Sequence, residues 1–276
     1  MNALTPASRN APSVPSPFGA RLRHWRQHRR LSQLDLAHVA DVSTRHLSYV
    51  ETGRASPSRD MVLRLLDRLD IPLRERNALL EAAGYAPMYR ERSLDAPDMA
   101  SARAAVQRIL ACHEPWPALA MDRHWNLVMA NRMVPMLMAG ADPALLQPPV
   151  NVLRLSLHPD GLAPRIANLR QWREHLFERL RQQIHATGDD TLAALLAELK
   201  GYPDSFGAEA LTLPGEHQGV LMPFEFRTPA GVLRLVSTTT VFGSPVDITL
   251  QELALETFFP ADDASADLLR QAAAQA

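Results

Sequence analysis

The stretch from Phe18 to Arg59 concentrates the side chains that are best suited to contact a polyanion. It holds eight arginines against three acids, whereas the whole chain of 276 residues has a net charge of −1. Guanidinium groups pair bidentately with phosphates and with base edges. From Thr240 to the end, six acids accompany a single arginine. A basic module beside an acidic remainder is typical of a nucleic-acid binder with a separate regulatory body.

A helix predicted over residues 44–51 presents small polar and basic side chains on its outer face, and such a face can enter the major groove of DNA. Neighbouring polar and basic residues are placed to meet phosphates. The candidate DNA-binding residues are Arg30, Gln33, Ser43, Thr44, Arg45, Ser48, Tyr49, Arg54 and Ser56. Phosphates repel an acid, so we expect Glu51 to pair with an arginine of the same module.

No sequence pattern indicates an active site or a metal site. The chain lacks G-x-S-x-G, H-E-x-x-H, P-loop and dinucleotide-binding motifs. His24 and His28 lie four residues apart without a third ligand nearby, and the histidines at 113, 158, 175 and 217 are scattered. We therefore expect no enzyme, no catalytic residue, no metal and no obligatory cofactor. An enzyme with an attached DNA-binding module stays as an alternative.

The elements that position the basic residues are short helices separated by strong capping signals. Helices are predicted over 18–29, 33–40, 44–51 and 59–69, and helical patterning continues to Ala83, where Gly84 ends it. Serines precede the second, third and fourth helices as N-caps. Two helices joined by a turn of about three or four residues need a small residue where they cross, and Ala37 provides it. This pattern predicts an all-α helix-turn-helix domain of five helices.

The segments SQLDLA and VSTRHLSYVETGRASPSR resemble the Xre/Cro-type helix-turn-helix family. The resemblance covers about the first quarter of the chain and implies sequence-specific binding to double-stranded DNA. One departure is Asp41, where the family usually has glycine. That turn position favours a positive φ, which aspartate tolerates better than most residues.

The remainder of the chain mixes helices with strands. Helices are predicted over 99–112, 163–186 and 191–199, and Asn131 caps a short helix that ends at Met138. Strands are predicted over 118–121, 125–130, 220–227, 232–242 and 249–259, with a loop at 143–149. This order predicts an α+β domain with an antiparallel sheet. The predicted organisation is a disordered tail (1–16), a DNA-binding domain (17–86), a linker (87–98), the α+β domain (99–262) and an acidic, alanine-rich tail (263–276).

This second region resembles the ligand-binding domain of MmyB-like regulators, a PAS-like fold that follows an Xre-type module. The resemblance rests on EPWPALAMDRHWNLVMAN, NVLRLSLHPDGLAPRIANLRQWREHLFERLR and RTPAGVLRLVSTTTVFGSPVDITLQELALETFFPAD. It implies a bound fatty acid or acyl-like ligand. Methionines and aromatics crowd the region, and methionine suits cavities that adapt to flexible ligands.

We expect a pocket between the sheet and the helices at 163–199. Leu233 and Leu235 alternate with Arg234 along one strand, so one face of the sheet can be apolar. A buried carboxylate must be paired, so Arg227 or Arg234 is the expected anchor. The candidate ligand contacts are Trp116, Met121, Met129, Trp172, Leu176, Arg227, Leu233, Arg234 and Leu235.

Together these observations predict a transcriptional regulator whose C-terminal domain senses a small apolar ligand. We expect a homodimer on a double-stranded operator, because one module reads only a short half-site. The single cysteine, the absence of a signal peptide and the absence of an apolar span point to the cytoplasm. The alternative is a DNA-binding regulator whose C-terminal domain only mediates dimerisation or protein–protein contact.

Overall fold

A computed structural model describes residues 17–204, 222–243 and 245–275 of the chain. The described residues form two compact units, with a boundary between Glu91 and Arg92. The first unit also takes in Val246–Ile248, and the other described residues belong to the second. The boundary falls inside the predicted linker. His217 and the first residues of the predicted strand 220–227 lie outside the described residues.

The first unit is a bundle of five helices, which confirms the predicted all-α domain. They are α1 (Pro17–His28), α2 (Gln33–Val39), α3 (Thr44–Glu51), α4 (Arg59–Arg68) and α5 (Leu73–Ala82). Ser32, Ser43 and Ser58 cap α2, α3 and α4, because each hydroxyl accepts a hydrogen bond from a backbone N–H of the first turn. At Ser32 the side chain of Asp35 also accepts a hydrogen bond from the backbone N–H of Ser32, which completes a capping box.

Two backbone positions bring the helices of this unit together. Asp41, in the turn between α2 and α3, has a φ of 53°, which confirms the conformation predicted there. Gly19 lies where α1 meets the end of α3. A Cβ atom at Gly19 would stand 2.5 Å from the carbonyl oxygen of Val50, so only glycine fits. Ala37 is buried in the core, as predicted.

The second unit is built on a five-stranded antiparallel sheet, which confirms the predicted α+β domain. Its strands are β1 (Ala118–Met121), β2 (Leu127–Ala130), β3 (Phe224–Thr228), β4 (Gly231–Val241) and β5 (Ala254–Pro260), in the order β2-β1-β5-β4-β3. The other α-helices among the described residues are α6 (Ala100–Cys112), α7 (Val134–Met138), α8 (Val152–Leu157), α9 (Leu169–Thr187), α10 (Asp190–Lys200), α11 (Ile248–Gln251) and α12 (Asp263–Gln275).

Each face of the sheet packs against a hydrophobic cluster. On one face Leu119 and Leu235 join the main core with α8, α9 and α10. On the other face Ala118 and Ala120 pack with Val106 of α6. We call the first the inner face and the second the outer face. Since β1 is buried on both sides, its sequence is continuously apolar.

Several predicted boundaries are wrong. Residues 163–165 form a 3-10 turn around Pro164, so α9 begins at Leu169. The strand predicted from Thr249 starts at Ala254, after α11. The short helix α8 was not predicted, because six residues carry too little periodicity. None of the described helices has the length and apolarity needed to cross a membrane.

The predicted tail at 263–276 is also wrong. Residues 263–275 form α12, whose Leu269 is fully buried in the main core. Asp262 caps this helix by accepting a hydrogen bond from the backbone N–H of Ser265 at 2.7 Å. Alanine is the strongest helix former, so the alanine-rich composition favours a helix once a core is available to bury Leu269.

Candidate DNA-binding surface and ligand cavity

The exposed side of α3 presents an arginine and a tyrosine that contact each other. Arg45 is exposed, and its Nε donates a hydrogen bond to the hydroxyl of Tyr49 at 3.1 Å. The guanidinium carbon lies 5.4 Å from the tyrosine ring centroid. The two side chains are four residues apart and therefore lie on the same face. This contact holds the guanidinium at the surface, where its remaining N–H groups can reach a base edge.

A buried polar network lies beneath this face. Glu51 accepts hydrogen bonds from Arg26 at 2.6 Å (Nε) and 3.0 Å (Nη2), and from the side-chain nitrogen of Gln33 at 2.7 Å. Arg26 also donates to the carbonyl oxygen of Leu31 at 2.7 Å. The predicted intramolecular pairing of Glu51 with an arginine is confirmed. Through Glu51, the network fixes the side chain of Gln33 at the start of α2.

The other candidate residues surround this motif. Ser43 caps α3, while Thr44 and Ser48 are half-buried on that helix. Arg30 is exposed after α1 and has a φ of 57°, and Arg54 and Ser56 are exposed after α3. The structure therefore places all nine candidates on or beside the two helices of the motif. Their contact with DNA stays a prediction.

The second unit contains a partly open apolar cavity of about 90 Å³ on the inner face of the sheet. Strands contribute Leu119, Leu127, Phe224 and Phe258. Helices α7, α8 and α9 contribute Val134, Met138, Val152, Leu155, Trp172 and Leu176. A cavity lined this way is suited to an apolar molecule.

Two polar residues belong to the wall of this cavity, Ser156 and Glu256. The hydroxyl of Ser156 accepts a hydrogen bond from Nε1 of Trp172 at 3.0 Å. Oε1 of Glu256 accepts one from Nη1 of Arg179 at 2.9 Å. The same guanidinium lies 4.7 Å from the ring centroid of Trp125, which also lines the cavity.

A histidine next to this wall has a lowered pKa. His175 stacks on Trp172 with ring centroids 5.6 Å apart. Burial, followed by the positive charge of Arg179, lowers the pKa of His175, although Glu256 opposes the shift. The lowered pKa disfavours a positive charge on His175, whereas Arg179 and Glu256 form an ion pair at this wall.

Of the nine candidate ligand contacts, Trp172 and Leu176 line the cavity. Four others belong to or pack against the same core without lining it, namely Trp116, Met121, Leu233 and Leu235. Met129 instead packs with the cluster on the outer face. A bulge between Ala120 and Met121 shifts the register with β2, so Leu127 and Met129 turn to opposite faces.

The two expected anchors, Arg227 and Arg234, lie outside the lining of this cavity. Arg234 lies opposite Glu225 in the β3–β4 register, 3.5 Å from its carboxylate, and 3.3 Å from that of Asp262. Arg227 donates to the carbonyl oxygen of Ile166 at 3.3 Å. Neither arginine lines the cavity, because residues on this side of the strands alternate with the buried Leu235.

Sequence reasoning missed Glu256 and the residues of α8. One sequence signal could have identified Glu256. It is an acid at a position of β5 that alternates with Ala254 and Phe258 on the inner face of the sheet. Within the described ranges, no three histidine, cysteine or acidic side chains are grouped so that they could hold a metal ion.

A helix-turn-helix unit followed by an α+β unit with a cavity is the architecture of a DNA-binding regulator with a domain that binds a small molecule. A helix-turn-helix domain model matches residues 17–79, and the model of the MmyB-like transcription regulator ligand binding domain matches residues 102–272. The chain belongs to the MmyB-like transcription regulator family. It is a DNA-binding transcription regulator with a ligand-binding domain.

Two solved structures are similar to parts of this chain. The clp gene regulator ClgR from Corynebacterium glutamicum is 26% identical over 36% of this chain and 93% of its own, with a TM-score of 0.23. An RNA-binding Light-Oxygen-Voltage receptor is 12% identical over 95% of this chain and 64% of its own, with a TM-score of 0.26. Neither score supports an argument about fold or function. No curated protein matches the chain.

Proposed function

We propose that the cavity binds a small apolar molecule with an acyl-like chain and that this ligand changes the affinity of the protein for its operator. The observation that carries the proposal is the apolar cavity itself, in a chain that also holds a helix-turn-helix. An engineered apolar cavity of about 150 Å³ stays dry and binds benzene. The cavity of about 90 Å³ is of the same order. Met138 in its wall is deformable, so a longer chain can be admitted by side-chain movement.

We further propose that the protein acts in the cytoplasm, where its operator is accessible, and that it binds as a homodimer. A two-fold dimer presents α3 to two half-sites whose centres lie about 34–36 Å apart, or a multiple of that distance. Selection from random DNA followed by footprinting gives the operator. Protection of one asymmetric half-site would exclude the dimer.

Arg45→Ala is expected to weaken binding to the selected operator by about 1–3 kcal/mol and to relax specificity at one base pair. The reason is the loss of a bidentate base contact by an exposed guanidinium that Tyr49 holds in place. Affinity for the operator and for a scrambled duplex is measured at one salt concentration. Arg68→Ala is the matched control, because Arg68 is exposed at the end of α4, outside the motif. An equal loss on both duplexes would show that Arg45 meets only phosphate.

An eight-carbon probe is expected to raise the melting temperature of the full-length protein and to change operator affinity. The probes are 1-octanol, methyl octanoate and octanoate, and mass spectrometry of the purified protein identifies any ligand that it already carries. Val134→Phe should abolish the response, because it fills the cavity. Val128→Phe is the control, since Val128 is exposed on β2. If all three probes leave both properties unchanged, the C-terminal domain serves dimerisation or protein–protein contact instead.

A further inference from the structure

We propose that Glu256 selects the polar end of the ligand, so that the cavity accepts an apolar chain ending in a neutral hydrogen-bond donor, such as a hydroxyl or an amide, and discriminates against a free carboxylate. This inference rests on the proposed function of the cavity and assigns the chemical class of its ligand. Its basis is the charge balance of the cavity wall.

The position of Glu256 follows from the strand register. It lies opposite Leu119 of β1 and Thr239 of β4, and it alternates with Leu255, which is buried on the outer face. Leu119 and Phe258 line the cavity from the same side of the sheet. The side chain of Glu256 is 6% exposed, so its charge is screened little by bulk water.

Among the residues that the structure describes, Arg179 is the positive group that pairs with this carboxylate. Arg179 donates through Nη1 to Oε1 of Glu256 and through Nη2 to the hydroxyl of Thr239 at 3.0 Å. Oε2 of Glu256 accepts no hydrogen bond from any residue that the structure describes. A donor on a ligand can therefore bind Oε2 without breaking the ion pair.

A carboxylate on the ligand is disfavoured at the same position. It would place a second negative charge beside one guanidinium that is already paired, and burial of an uncompensated charge is costly. Ser156 does not compensate it, because a hydroxyl carries no net charge, and the burial of His175 lowers its pKa and so disfavours its charged form. The same arrangement that favours a donor therefore disfavours an acid.

The test compares the three eight-carbon probes on the full-length protein at pH 7.5, by calorimetric titration. We expect 1-octanol to bind at least about tenfold more tightly than octanoate, and more tightly than methyl octanoate, which has no donor. Glu256→Gln should remove this ranking, because the variant releases Arg179 to pair with octanoate. Glu225→Gln is the matched control, since Glu225 is a buried acid near an arginine on the other side of the sheet. It should keep the wild-type ranking.

The outcomes separate this inference from the function on which it rests. If octanoate or methyl octanoate binds the wild type as tightly as 1-octanol, the role of Glu256 is overturned while the apolar cavity stays a ligand site. If none of the three probes binds, the proposed function fails and this inference fails with it. If Glu256→Gln does not fold, the ranking of the probes on the wild type decides.

Discussion

Glu51→Ala is expected to destabilise the helix-turn-helix unit by about 3–5 kcal/mol, the typical cost of removing one partner of a buried ion pair. The carboxylate is 1% exposed, and it accepts both hydrogen bonds from Arg26, whose side chain is 9% exposed. Its loss leaves the guanidinium buried without a counter-charge. Chemical denaturation of the full-length protein, monitored by a spectroscopic signal from the N-terminal unit, measures the change in the free energy of unfolding.

Two controls separate the buried pair from a general loss of charge. Glu81→Ala removes an exposed acid from the end of α5 and should change stability by less than about 0.5 kcal/mol. The double variant Arg26→Met with Glu51→Leu should recover most of the lost stability, because no unpaired charge remains. DNA affinity should stay low in that variant, since Gln33 loses the carboxylate that positions it. A Glu51→Ala protein as stable as the Glu81→Ala protein would contradict the assignment.

Trp172→Ala is expected to destabilise the second unit by about 3–5 kcal/mol, the usual range for deleting a buried tryptophan. Trp172 is 5% exposed, and its ring centroid lies 4.9 Å from that of Phe224 across the cavity wall. The substitution also removes the indole N–H that donates a hydrogen bond to the hydroxyl of Ser156. Thermal unfolding of the full-length protein gives the stability change.

Trp116→Ala is the matched control, because Trp116 is only half-buried and lies outside the cavity wall. It should cost clearly less stability and leave probe binding unchanged. Trp172→Phe should keep most of the stability, since the ring still fills the wall. If Trp172→Ala and Trp116→Ala lowered the stability equally, the assignment of Trp172 to the buried cavity wall would be contradicted.

The helix-turn-helix could be predicted because its determinants are local. Ser32, Ser43 and Ser58 cap helices within three residues of themselves, and the positive φ of Asp41 belongs to a single turn. Such signals act over a few residues, so they can be read from the sequence directly. The pairing of Glu51 followed from charge alone, although its partner Arg26 could not be named.

The fold class of the second unit could be predicted, whereas most of its cavity could not. Trp172 and Leu176 were found because they repeat at helical spacing along α9. The side to which Met129 turns depends on a bulge in the pairing of β1 with β2. Burial of Leu269 depends on a core formed by residues distant in the sequence.

The five-helix unit, the exposed polar face of α3 and the antiparallel α+β class follow from the sequence, because capping, turn conformation and periodicity are short-range properties. Which polar groups reach the cavity depends instead on contacts between distant parts of the chain. The pairing of β4 with β3 turns Arg234 towards Glu225, away from the cavity, and the pairing of β5 with β1 turns Glu256 to the cavity side. A strand has a period of two, so a shift of one residue in register exchanges the two faces, and register is fixed by partners far away in the chain.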